Sequence, residues 1–171
     1  NGCESCRTGK YSNEEARSTD CILCDPGKYH NQNAQTTGCK DCGKGKYSNG
    51  NGASSCIDCE VGKYNDDTAQ DACTPCAAGK YNDATVQESC KSCAAGKYSV
   101  QTARTSEFDC NSCSTGKYSN VLARSTDCEQ CVPGTYQNQN AQTAGCKDCG
   151  KGKYSNGNGA SSCIDCEVGK Y

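Results

Sequence analysis

Twenty cysteines stand in ten Cys-x-x-Cys pairs, beginning at Cys3, Cys21, Cys39, Cys56, Cys73, Cys90, Cys110, Cys128, Cys146 and Cys163. Thiols at this spacing support three chemistries: a disulfide framework, tetrahedral zinc, or thiol-disulfide exchange. Zinc would take four sulfurs from two pairs, for example Cys3, Cys6, Cys21 and Cys24. Loops within a site would then differ in character from loops between sites. The pairs instead recur every 17, 18 or, once, 20 residues with the same flanking letters. Exchange chemistry needs one thiol of lowered pKa at a helix N-terminus, which ten equivalent copies without helical periodicity do not supply. A disulfide framework is therefore expected, with no metal and no cofactor.

Spacing points to a pairing. Joining the second cysteine of each pair to the first of the next closes nine loops: Cys6 with Cys21, Cys24 with Cys39, Cys42 with Cys56, Cys59 with Cys73, Cys76 with Cys90, Cys93 with Cys110, Cys113 with Cys128, Cys131 with Cys146, and Cys149 with Cys163. Each loop encloses 13 to 16 residues. In the chain-entropy model a loop of that size stabilises by roughly 3 kcal/mol. Cys3 and Cys166 remain over, which is expected of an excerpt from a longer array, with the export signal outside it.

The elements that must position the sulfurs are written in the same letters. Gly follows the second cysteine by three residues and Tyr by five, giving Tyr11, Tyr29, Tyr47, Tyr64, Tyr81, Tyr98, Tyr118, Tyr136, Tyr154 and Tyr171. Gly permits a positive φ or a close backbone approach, and the Lys-Tyr-Ser or Lys-Tyr-Asn that follows can run extended. Polar stretches such as Asn49-Gly50-Asn51-Gly52 and Asn65-Asp66-Asp67-Thr68 favour turns. Each repeat should be a small hairpin-like loop closed by a disulfide. The tyrosines, the one large apolar side chain in every repeat, are expected to be the most buried residues after cysteine, each touching a disulfide.

Composition explains why covalent closure is needed. Val, Ile, Leu and Phe together number twelve in 171 residues, with no Met or Trp. Burying each contributes roughly 1.5 to 3 kcal/mol, too little against an ordering cost of about 1 to 2 kcal/mol per residue. The fold class expected is small and disulfide-rich: an elongated tandem-repeat rod of short hairpin-like loops with little or no helix. It should run as one continuous array over residues 1–171. A second period lies over the first, since residues 38–64 recur letter for letter at 145–171, a shift of 107 residues or six short repeats. Across 1–64 and 108–171, 52 of 64 positions match, as block duplication of a long repeat chain would leave them.

The pattern Cys-x-x-Cys-x-x-Gly-x-Tyr, followed by about a dozen polar residues and another Cys-x-x-Cys, resembles the ephrin-receptor-like and tumour-necrosis-factor-receptor-like cysteine-rich repeats over the whole chain. The resemblance implies end-to-end modules and the same downstream closure of the cysteine before Gly-x-Tyr. The chain departs from the receptor pattern in lacking extra cysteines between pairs and in placing only Pro26 and Pro133 after the cysteine.

Other chemistry finds little footing. His30 is replaced by Gln137 in the duplicated block, so no Ser, Cys or His constellation recurs, and His30 reads as a solvated surface residue. Asp66, Asp67 and Asp71 lack a calcium-loop spelling. Eighteen basic and twenty acidic residues are interspersed, leaving no electrostatic footprint for nucleic acid, and no apolar run is long enough to cross a membrane. Asn-x-Ser/Thr sequons are absent. The Lys before each Tyr, from Lys10 to Lys170 with Thr135 the exception, would form a row, solvated with its stems on the tyrosines, or open to acidic glycans. The reading is a non-enzymatic, secreted or cell-surface structural protein whose partners are copies of itself in a filament. The alternative is a stalk or ligand-binding ectodomain of a receptor or adhesin, with the longer loop Val100 to Asp109, including Arg104, Glu107 and Phe108, as its one individual feature.

Overall fold

The computed structural model describes residues 4–13 and 20–170. Cys3 and Tyr171 lie outside the described residues. The chain divides into two compact units, one containing the residues up to Pro75 together with Ala84–Cys90, the other Cys76–Asp83 together with the residues from Lys91 onward.

Both units are built from one hairpin. A tight turn, closed for example by Lys97 N donating to Ala94 O at 3.1 Å, delivers the chain through Gly96 into the strand Lys97–Tyr98. Its antiparallel partner is Asn111–Ser112, with Lys97 opposite Ser112 and Tyr98 opposite Asn111. These two partner residues are the x-x of the next Cys-x-x-Cys. The first unit repeats the arrangement in Lys10–Tyr11 with Ile22–Leu23, Lys28–Tyr29 with Lys40–Asp41, Lys46–Tyr47 with Ile57–Asp58, and Lys63–Tyr64 with Thr74–Pro75. The second has it also in Lys80–Tyr81 with Lys91–Ser92, Lys117–Tyr118 with Glu129–Gln130, Thr135–Tyr136 with Lys147–Asp148, and Lys153–Tyr154 with Ile164–Asp165. The small disulfide-rich repeat fold is thus a series of two-stranded hairpins. Helix among the described residues is confined to the 3-10 turn Glu107–Asp109.

The partner strands spell Ile-Leu, Lys-Asp, Thr-Pro or Glu-Gln, so intrinsic β preference does not explain them. Each is held between two sulfur anchors. Residues three apart in an extended segment face opposite sides, so the two cysteines of one pair serve different loops. The second cysteine sinks into the interior: Cys24, Cys42, Cys59, Cys76, Cys93, Cys113 and Cys131 are at most 1% exposed.

Eight disulfides have their ends at Cys6 and Cys21, Cys24 and Cys39, Cys42 and Cys56, Cys59 and Cys73, Cys93 and Cys110, Cys113 and Cys128, Cys131 and Cys146, and Cys149 and Cys163. Their Cα separations are 5.6 to 5.8 Å, ordinary for a disulfide. Cys76 and Cys90 are likewise disulfide-bonded, and Cys166 is free.

The expectation that tyrosines are the most buried residues after cysteine is corrected. Tyr81 is buried, in a cluster with Cys93 and Cys110, but Tyr11, Tyr29, Tyr47, Tyr64, Tyr98, Tyr118 and Tyr136 are half-buried and Tyr154 is 42% exposed. The interior position belongs in seven repeats to the residue after the Tyr: His30, Ser48, Asn65, Asn82, Ser99, Ser119 and Gln137 are all at most 2% exposed. Alternation along the extended segment is the reason, because turning this residue inward leaves the ring on the outer side of the hairpin. His30, expected at the surface, is 1% exposed for the same reason.

Candidate functional site

The chemistry repeated within each unit is the junction between one repeat and the next, built from the second cysteine, the glycine, and the residue after the tyrosine. The glycine N–H donates forward to the carbonyl of the next post-tyrosine residue: Gly9 to His30 at 2.7 Å, Gly27 to Ser48 at 2.8 Å and Gly45 to Asn65 at 2.9 Å in the first unit. In the second unit Gly79 donates to Ser99, Gly96 to Ser119 and Gly116 to Gln137 at 2.7 to 2.8 Å. The post-tyrosine N–H in turn donates to a loop carbonyl farther on, as His30 does to Ala53 and Ser119 to Gln142, both at 3.0 Å. Buried backbone groups are thereby paired across the junction, as an interior without a large apolar core requires.

A third bond fixes the loop. Ala34 N donates to Cys6 O, Ala69 N to Cys42 O, Val86 N to Cys59 O, Ala103 N to Cys76 O, Ala123 N to Cys93 O and Ala141 N to Cys113 O, at 2.7 to 3.0 Å. These six donors have φ between 54° and 58°, a left-handed conformation that costs an L-residue roughly 1 to 2 kcal/mol. The hydrogen bond to a disulfide-anchored carbonyl holds them there. Nothing in the residue types marks these positions, since Ala and Val are poor predictors of positive φ; Gly52 and Gly159 occupy the equivalent position in two loops.

Inside the junction the side chain varies. Ser48 Oγ donates to Lys28 O at 3.1 Å, Asn65 Nδ2 to Lys46 O at 3.0 Å, and Ser155 Oγ to Thr135 O at 2.9 Å. In the first unit His30 fills the same place with both ring nitrogens unpartnered, and in the second Gln137 Oε1 has no partner. Four kinds of polar side chain, Ser, Asn, His and Gln, therefore occupy one backbone framework, so the backbone bonds and sulfurs define the junction.

The lysine row is engaged with carboxylates of its own hairpins. Lys28 pairs with Asp41 at 3.0 Å and Lys97 with Glu107 at 3.1 Å, while Lys46 with Asp58, Lys117 with Asp127 and Lys153 with Asp165 are in direct contact. The Lys117 ammonium holds the Asp127 carboxyl below the usual carboxylate range, aided by the Cys128 N–H. Arg124, then the Tyr118 hydroxyl, lower Glu129 likewise, and that same bond raises the Tyr118 phenol. A lowered folded-state carboxyl contributes stability above the unfolded value of about 3.9 and loses it as pH falls through the folded value. Lys117→Ala is expected to move the Asp127 titration midpoint up toward the ordinary range in an NMR titration. Because the pair is half exposed, the accompanying loss of stability above that range should stay below about 1 kcal/mol.

The longer loop closes on itself. Ser106 caps the 3-10 turn, Asp109 Oδ2 accepts from the N–H groups of Thr105 and Ser106 at 3.1 and 3.0 Å, and Arg104 pairs with Asp109 at 3.6 Å. Of the three residues singled out there, Arg104 and Glu107 are held in ion pairs and Phe108 is 96% exposed. Among the described residues no group of three or more His, Cys, Asp or Glu is placed to hold a metal ion, and no helix is long and apolar enough to cross a membrane.

Fold and junction together define a tandem array of disulfide-bonded cysteine-rich modules. Residues 62–110 match the family described as tyrosine-protein kinase ephrin type A/B receptor-like. The match covers the repeats that carry Tyr64, Tyr81 and Tyr98 and includes the longer loop. No curated protein matches the chain. A cysteine-rich receptor-like module with consecutive disulfides suggests an extracellular or surface setting, where such bonds persist.

Proposed function

We propose that the chain is a non-catalytic structural segment of an extracellular or surface assembly, in which copies join into filaments whose period corresponds to six short repeats. One observation carries the reading: the duplicated 27-residue block displays the same exposed features in each unit. Ile57 is 47% and Ile164 51% exposed, beside the equivalent ion pairs Lys46 with Asp58 and Lys153 with Asp165. A surface presented repeatedly along a chain supports repeated identical contacts, and these build open polymers in preference to small closed oligomers. With Lys28, Lys46, Lys97, Lys117 and Lys153 paired within their own hairpins, self-association requires no glycan partner.

A receptor stalk or ligand-binding ectodomain is the second reading. It is favoured by the family match at residues 62–110 and by Phe108, the chain's one phenylalanine, standing exposed on a capped turn within that region. Electron microscopy and sedimentation of native, non-reduced material separate the two. Filaments with the six-repeat period are the expected result; a monodisperse monomer without filaments would defeat the structural reading and promote the ectodomain.

A further inference from the structure

The duplicated blocks each carry the tetrapeptide Asn-Gly-Asn-Gly, at residues 49–52 and 156–159. An asparagine followed by glycine is open to attack on its side-chain carbonyl by the next backbone nitrogen, because glycine has no Cβ to obstruct the approach and is conformationally free to make it. The nitrogen gives its proton to solvent base and bonds to Asn Cγ. The bond from Cγ to the side-chain nitrogen breaks, and ammonia leaves after taking a proton from solvent. One water then opens the cyclic imide at either carbonyl, giving aspartate or isoaspartate. No oxidant or reductant is involved.

The two Asn-Gly bonds within each tetrapeptide are not equivalent in the fold. Gly52 N donates to Cys24 O at 2.7 Å and Gly159 N to Cys131 O at 2.8 Å. Both acceptors belong to disulfide-bonded cysteines that are 1% exposed. The nucleophile of the second Asn-Gly bond is thus tied to a buried, cross-linked carbonyl. Gly50 and Gly157 are exposed, open space surrounds the place a Cβ would occupy, and their N–H groups donate to no protein acceptor among the described residues. Asn49 and Asn156 are exposed as well.

We propose that Asn49 and Asn156 are sites of spontaneous deamidation in the native protein, while Asn51 and Asn158, in the same tetrapeptides, are protected by the hydrogen bonds of Gly52 and Gly159. The change adds a negative charge at equivalent points of the two blocks. In the isoaspartyl form it also adds a main-chain carbon next to the junction residues Ser48 and Ser155.

The disulfide-intact chain, aged at mildly alkaline pH and mapped by digestion and mass spectrometry, tests this. Breaking one backbone hydrogen bond before attack should slow Asn51 relative to Asn49, and Asn158 relative to Asn156, by about tenfold or more. After reduction and denaturation each pair should react at similar rates, since both members are followed by glycine. Gly50→Ala should slow Asn49 while leaving Asn156 unchanged as an internal reference, and the open space at Gly50 admits the added methyl without disturbing the fold. Equal rates within each tetrapeptide of the native chain, a preference for Asn51 and Asn158, or a preference that survives denaturation would overturn the proposal.

Discussion

Reduction of the disulfides is expected to erase the hairpin ladder altogether, with loss of chemical-shift dispersion and of amide protection in both units. The interior of the repeats consists mainly of sulfur, backbone and one polar side chain apiece, with Tyr81 the one buried ring among the described residues. The large aliphatic residues stay mostly outside, as Leu23, Ile57, Val100, Leu122, Val132 and Ile164 do. Apolar burial therefore supplies little, while each loop closure contributes roughly 3 kcal/mol in the chain-entropy model. Strands of two residues hold no register without their anchors, and an isolated two-stranded hairpin is at best marginal in water. A reduced chain that kept native dispersion and slow exchange would show that the backbone junctions, and not the cross-links, sustain the fold.

Gly96→Ala should be strongly damaging for a single added methyl in the second unit. Gly96 has φ +79°, and a Cβ there would overlap the backbone carbonyl of Ala141, in a loop two repeats farther along. Ala141 cannot retreat, because its N–H is bonded to Cys113 O at 2.8 Å and Cys113 is cross-linked to Cys128. Gly134 supplies the comparison. It has φ +84° with nothing within 4 Å of the Cβ position, so Gly134→Ala incurs only the left-handed backbone cost of roughly 1 to 2 kcal/mol. Gly96→Ala adds the collision, and a total near 3 kcal/mol corresponds to about a hundredfold loss of local protection. Hydrogen exchange at the Ser119 and Ala141 amides of the disulfide-bonded protein reads the difference. Equal effects of the two substitutions would mean that the close approach carries no energy.

Paired cysteines at 17- or 18-residue spacing, a glycine three residues on and only twelve large aliphatic or Phe residues were enough to imply a small disulfide-rich fold of hairpin-like repeats without sustained helix. That much is local: loop closure, turn chemistry and a missing apolar core act within about twenty residues of chain. The same locality misled the reading of burial. Size and hydrophobicity nominated the tyrosines, yet the inward place went to His30, Asn65, Ser119 and Gln137, because alternation about the extended Lys-Tyr pair decides which neighbour faces the junction. Likewise Ile-Leu, Thr-Pro and Glu-Gln become equivalent strands through the cysteines on either side of them, and Ala34, Val86 and Ala141 take a left-handed conformation through bonds to carbonyls in a preceding repeat.

The sequence by itself determined which atoms are available to cross-link and where the chain must turn. Only the tertiary structure decided which face of each short strand is buried, which loop crosses which glycine, and which of two adjacent Asn-Gly bonds is shielded. The physical reason is that these outcomes depend on contacts one or two repeats away, where closely approaching backbones pair their N–H and C=O groups almost without regard to side-chain identity.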